Sequence, residues 1–207
     1  MTISAQMVKE LRDATGASFL DCKNALEEYE GDREKAKEYL VQKGLAVAAK
    51  KASREAREGL IETYTHHGGR VGVMLELNCE TDFVAATDQF QGLAHELALH
   101  VAFANPLYLN VEDIPEDVTD TQREVFRAEA SAQGKPDDIV EKIVDGRMNK
   151  FYGEVVFMKQ PFVKDEDMLV GDVITQAIAE LKENIKVSRF ARYELGGGSP
   201  AGSDGDD

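Results

Sequence analysis

Apolar positions change their spacing along the chain, and each change predicts a different kind of element. In residues 1–45, Val8, Leu11, Leu20, Ala25, Leu26, Ala36, Tyr39 and Leu40 recur at intervals of three, four and seven within their segments, as on one face of a helix. Thr15-Gly16 and Glu30-Gly31-Asp32 break the pattern, and Ser18 and Asp32 stand where helix N-caps belong. Three short helices are predicted, forming a separate module with barely enough chain to bury a core. Residues 46–58, within GLAVAAKKASREAREG, carry no wide apolar stripe and alternate in charge. They read as a linker or a solvated helix. A basic RNA-binding arm is the weaker reading, because Glu55 and Glu58 dilute the charge.

At Leu60 the period drops to two. LIETYTHH and RVGVMLELN alternate about Gly68-Gly69, which predicts a β-hairpin. Phe90, Leu93, Ala94, Leu97, Ala98 and Val101 then restore the helical period up to Asn105-Pro106. Two further helices are predicted over 120–133 and 137–152, split by Gly134-Lys135-Pro136, and another over DVITQAIAELKENI. IKVSRFARYEL alternates again and should lie beside the hairpin as a third strand. The expected class is α+β, with a small three-stranded antiparallel sheet backed by helices over 59–195. Residues 196–207, GGGSPAGSDGDD, lack apolar side chains and read as a disordered acidic tail.

Charge narrows the partners. The formal charge is −15, from 24 Lys/Arg against 39 Asp/Glu. Residues 1–57 hold 11 basic and 10 acidic side chains, so the excess acid lies beyond them. Such a balance opposes direct nucleic-acid binding, which needs a basic face against phosphate, and suits a protein partner. No apolar run approaches the ~18 residues that cross a bilayer. Two cysteines make no disulfide framework, and nothing at the start reads as a secretory segment. The expected location is cytoplasmic.

Candidate chemistry is sparse. His95 and His100 bracket HELALH, but their spacing of five turns them about 140° apart on a helix, whereas a zinc pair needs four. His66-His67 falls at the hairpin turn. Cys79 has Asn78, Glu80 and Asp82 for neighbours, a poor setting for a thiolate nucleophile. No phosphate loop or dinucleotide fingerprint occurs. No catalytic residue, metal site or cofactor is expected.

The stretch ELNCETDFVAATDQF, residues 76–90, places the large ring of Phe83 directly behind Thr81 and Asp82. Two readings stand. Phe83 staples the following helix onto the core, with Thr81 or Asp82 as N-cap. Or it projects from a stiff strand–helix junction as an anchor for a partner.

LRDATGASFLDCKNAL (11–26) and ELNCETDFVA (76–85) closely resemble the two signature motifs of the elongation factor Ts family, the nucleotide-exchange factors of the translational GTPase EF-Tu. KGLAVAAKKA, YTHHGGRVGVMLELN, QPFVKD and NIKVSRFARYEL extend the resemblance over nearly everything before the tail. It implies a three-helix module similar to ubiquitin-associated domains, a linker and an α+β core. It implies that Thr81, Asp82, Phe83 and Val84 meet EF-Tu, with Phe83 wedged between helices of the GTPase domain near its magnesium and switch region. Arg12, Phe19, Leu20 and Lys23 are the implied contacts of the first motif. The chain departs from the family where Ser18-Phe19-Leu20 replaces the common Gly-Met-Met, and where Ala86 replaces a basic or polar residue. Long members carry two copies of the core half. With room for one, this chain is expected to homodimerise and bind two EF-Tu molecules in a 2:2 complex. The alternative function is a non-catalytic adaptor using the three-helix module; a Cys79-dependent hydrolase is weaker still.

Overall fold

Three side-chain caps start the three N-terminal helices. Ser4 Oγ accepts the Met7 N–H (3.2 Å) at α1 (Ala5–Thr15), and Ser18 Oγ accepts that of Asp21 (3.1 Å) at α2 (Phe19–Glu28). Asp32 Oδ1 accepts that of Lys35 (3.1 Å) at α3 (Arg33–Lys51). Each cap satisfies an N–H that the helix itself leaves free. The three helices bury Val8, Leu11, Cys22, Ala25, Leu26, Ala36 and Leu40 together. Leu20 departs from its predicted inward position and is exposed. The inner stripe of α2 is Cys22, Ala25 and Leu26, and Leu20 lies about 200° around the helix from Cys22.

The computed structural model describes residues 3–197, so most of the 196–207 tail lies outside the described residues. After α3, the hairpin strands β1 (Glu58–Thr65) and β2 (Val71–Cys79) are followed by α4 (Asp82–Ala85) and α5 (Asp88–Ala104). Next come α6 (Glu116–Ser131), α7 (Asp137–Val155), β3 (Pro161–Phe162), β4 (Asp165–Leu169), α8 (Val170–Leu181) and β5 (Lys186–Glu194). The main sheet is antiparallel in the order β1-β2-β5. The class is α+β, as the alternating and helical periods predict. Gly68 (φ 81°) and Gly69 (φ 66°) turn the hairpin in the left-handed region open to glycine.

One face of this sheet makes the core. Val73, Leu75, Leu77 and Cys79 pack with Phe90, Leu93, Ala94, Leu97 and Val101 of α5, Ile174 and Ile178 of α8, and Val187 of β5. The opposite face carries the exposed side chains of Ile61, Met74 and Tyr193, with an ion pair between Arg189 Nε and Glu76 Oε2 (2.8 Å). Neighbouring positions on that face are in register: Thr63 faces Met74, and Met74 faces Ala191.

Several elements differ from the prediction: α6 starts four residues early and ends two short of its predicted bounds, α7 runs three residues further, and three differences reach the packing of the core. α3 runs without a break to Lys51, and its second half lies on α8, where Gly44 approaches Ala179. The helix predicted through Ile185 ends at Leu181, because Lys182 takes a left-handed conformation (φ 61°) and its N–H returns to Ile178 O. The small β3–β4 sheet is new, and strands of two and five residues are too short to show a period. α6 and α7 form a helical hairpin around Ala130, Val140, Val144 and Met148, flanked by Arg127–Glu141 (2.7 Å) and Arg123–Asp145 (3.2 Å) pairs.

His100 of α5 is fully buried. Its Nδ1 accepts the Val163 N–H (3.2 Å), so Nε2 carries the proton and donates to Gln160 Oε1 (3.0 Å). Burial lowers its pKa below the ordinary 6.5, outweighing the Gln160 bond, which raises it. A depressed folded-state pKa means that the unfolded chain takes up the proton first as pH falls. The neutral imidazole therefore contributes stability that is complete above about pH 6.5 and is lost on acidification, at most about 1.4 kcal/mol per pH unit. The melting temperature should fall between pH 6.5 and 5, and His100→Gln should flatten that slope whatever its own stability. An identical slope in the variant would contradict this assignment.

Candidate functional site

β2 ends at Cys79, and the chain turns through Glu80 and Thr81 into α4. Thr81 is the N-cap: its Oγ1 accepts the Val84 N–H at 3.4 Å. Asp82 and Phe83 occupy the first turn of α4. Val84 and Ala85 pack against the main core, and Phe83 points the other way, with 82% of its surface exposed. The staple reading fails here, because Val84 supplies the apolar contact that Phe83 would have made. A ring in water gains nothing from its own fold. Asp82 is likewise exposed.

A second turn holds the first. Glu183, just past α8, accepts N–H bonds from Glu80 and Thr81 at Oε2 (both 3.0 Å) and the Thr81 hydroxyl at Oε1 (2.7 Å). In return, Glu80 Oε1 accepts the Asn184 N–H (2.7 Å) and pairs with Arg54 Nη1 (3.4 Å). The Asn184 side chain donates to Arg54 O (2.7 Å), tying in the segment that leads to β1. Sequence reasoning missed Glu183, Asn184, Glu80 and Arg54. One signal was present: an acid beside a helix C-terminus opposes the helix dipole unless something else partners it.

The first motif occupies the α1–α2 corner. Arg12, Phe19, Leu20 and Lys23 are all exposed, and among the described residues Lys23 pairs only with Glu27 of its own helix (3.6 Å). Gly16 (φ 61°) lets this corner approach α8 so closely that a Cβ there would lie 1.6 Å from Glu180 Oε1. Glu180 also accepts a hydrogen bond from Gln89 near the start of α5. Burial raises its pKa despite the nearby Arg12 charge. The corner and Gln89, four residues beyond Ala85, thus meet at one glutamate.

The other candidate groups lie apart. Exposed His95 bonds Glu62 (2.9 Å) and His66 bonds Tyr64 (3.1 Å), while His100 is sealed in the core. Among the described residues no three His, Cys, Asp or Glu side chains gather as a metal site would require. Cys79 is buried, burial raises its thiol pKa, and its Sγ donates to Thr81 O (3.1 Å). That is the setting of an inert thiol, not of a nucleophile.

Comparison with known proteins matches this arrangement to one family. The profile described as Elongation factor TS matches residues 6–197. The chain is 55% identical to an elongation factor Ts of Carboxydothermus hydrogenoformans over 95% of its own length and 90% of that protein. It is 53% identical to one of Desulforamulus reducens over the same shares. It is 52% identical to one of Fervidobacterium nodosum over 95% of its length and all of that protein. A profile covering almost every described residue, and relatives at this identity over 90% or more of their length, leave one conclusion: the chain belongs to the elongation factor Ts family.

Proposed function

We propose that this translation elongation factor promotes GDP release from EF-Tu by inserting Phe83 into the GTPase domain near its magnesium and switch region. The observation that carries the reading is a large ring, 82% solvent-exposed, on a turn whose Glu80 and Thr81 N–H groups are both held by the Glu183 carboxylate of a distant segment. Exposed aromatic anchors on stiff supports lose little entropy on binding, so their contact energy goes into the interface. In this reading the wedge displaces a helix of EF-Tu, the Mg²⁺ site is disturbed, and the phosphate-loop backbone releases GDP. Thr81 shapes the turn, Val84 anchors it, and Asp82 supplies a carboxylate at the same contact. Arg12, Phe19, Leu20 and Lys23 bind a second patch of the GTPase domain.

No catalytic residue, cofactor or metal is required. A factor that weakens GDP binding is itself bound more weakly in the presence of GDP, to the same degree. GTP rebinding then expels the factor, and the cell's nucleotide ratio sets the direction. Residues 1–45 serve as a recognition module and 59–195 as the exchange and dimerisation core. The open face of the sheet, with Ile61, Met74 and Tyr193, joins two subunits so that each EF-Tu touches both. The protein works in the cytoplasm without direct contact to nucleic acid or membrane.

Release of labelled GDP from EF-Tu is the test: this chain should accelerate it, and an adaptor would bind EF-Tu without doing so. Asp82→Asn preserves shape and removes only charge, so it should slow the stimulated release by less than Phe83→Ala does. An equal or larger effect would assign the mechanism to electrostatics.

A further inference from the structure

We infer that Glu183 is a positioning residue for exchange: its carboxylate clasps the Glu80–Thr81 backbone and fixes the direction in which Phe83 projects. The inference rests on the wedge reading above. α4 is a single turn of four residues, too short to hold its own orientation. Its packing is confined to Val84 and Ala85, both only half-buried. At its exit the Thr87 hydroxyl donates to Val84 O (2.7 Å); at its entry the chain passes through Glu80 and Thr81, and both of those N–H groups end on one carboxylate (3.0 Å each). The Thr81 hydroxyl, which caps α4 through Val84 N–H, donates to the same carboxylate (2.7 Å). One side chain thus sets both the strand exit and the helix cap.

The clasp is also reciprocal. The Asn184 N–H returns to Glu80 Oε1 (2.7 Å), so the α8–β5 turn and the β2–α4 turn each satisfy the other's backbone. Charge-assisted hydrogen bonds to a carboxylate are roughly twice as strong as neutral ones, and two turns locked mutually move as one body. Without Glu183, two backbone N–H groups lose their acceptor and the Thr81 hydroxyl is free to rotate away from its capping position. Phe83 then samples several directions, and only a fraction of docked complexes present the ring correctly. Docking through Arg12, Phe19, Leu20 and Lys23 is untouched. The signature is therefore a lower maximal rate of GDP release at saturating factor, with a nearly unchanged half-saturating concentration. A purely structural role gives the opposite: fewer folded molecules shift the apparent half-saturating concentration and leave the plateau alone.

The experiment measures GDP release from EF-Tu against factor concentration for the unaltered chain, Glu183→Ala, Glu183→Gln and Phe83→Ala, with amide hydrogen exchange of each free protein. Glu183→Ala should lower the plateau about tenfold or more and speed exchange of the Glu80 and Thr81 amides by a similar factor. Its half-saturating concentration should move less than about threefold. Glu183→Gln, which keeps the volume and one acceptor oxygen, should fall between; if Glu183→Ala does not fold, Gln carries the same comparison. A normal plateau in the Glu183 variants beside a collapsed one in Phe83→Ala overturns the positioning role and leaves the wedge standing. A normal plateau in Phe83→Ala, or no stimulation by the unaltered chain, removes the wedge and this inference with it.

Discussion

Phe83→Ala should abolish most of the stimulated GDP release and leave the fold as it was. The two effects separate because the ring is exposed in the free protein and buried only in the proposed complex. A buried Phe→Ala change costs about 3–5 kcal/mol of stability, whereas a solvent-facing change stays within about 0.5 kcal/mol. With 82% of the residue exposed, the second figure applies, and the melting temperature should barely move. In the complex the sign reverses. An aromatic anchor at the centre of an interface is worth at least about 2 kcal/mol, or roughly a 30-fold loss of rate if the contact forms on the way to GDP release. Measured together, a melting curve and a GDP-release rate decide the matter. A variant that unfolds readily yet exchanges at the normal rate when folded would return Phe83 to the core and end the wedge reading.

The second large effect concerns assembly. Unaltered, the chain should scatter light at micromolar concentration with about twice its 22.8 kDa mass. Ile61, Met74 and Tyr193 stand exposed on adjacent strands of one sheet face, and the helices cover only the other face. Two such sheets packed across a twofold axis would remove this apolar surface from water on both subunits at once. The Glu76–Arg189 pair in the same face already satisfies its charges within the subunit, so it adds no unpaired charge to an interface. The double substitution Ile61→Lys, Met74→Lys places two unpaired cations in each copy of the face. It should give the monomer mass while keeping the far-ultraviolet circular dichroism, because neither side chain contributes to the core. If the second subunit replaces a missing half of the exchange surface, the maximal rate of GDP release should fall with the dimer. An unaltered chain that runs as a monomer would remove the dimer and the 2:2 complex with it.

What could be read in advance was whatever is encoded at short range. The hairpin, α5 and β5 follow from the residue period, and the caps at Ser18 and Asp32 from the chemistry of a free N–H. The outward face of Leu20 was hidden because the helical period fixes a stripe only once the helix start is known. The clasp was hidden for a different reason: Glu183 and the turn it holds are separated by about a hundred residues of chain, and no periodicity spans that distance. The local pattern even misled, since Lys182-Glu183-Asn184-Ile185 continues the apolar spacing of α8 that the backbone abandons at Lys182. Phe83 itself was conspicuous, but the choice between staple and anchor depended on which neighbour reached the core, and Val84 does.

Rapid-mixing measurement of labelled GDP leaving EF-Tu, over rising concentrations of the unaltered chain, tests the central claim most directly. A release rate that climbs with concentration and saturates at a plateau far above the spontaneous rate is the predicted result. Binding to EF-Tu with the release rate unchanged would contradict it.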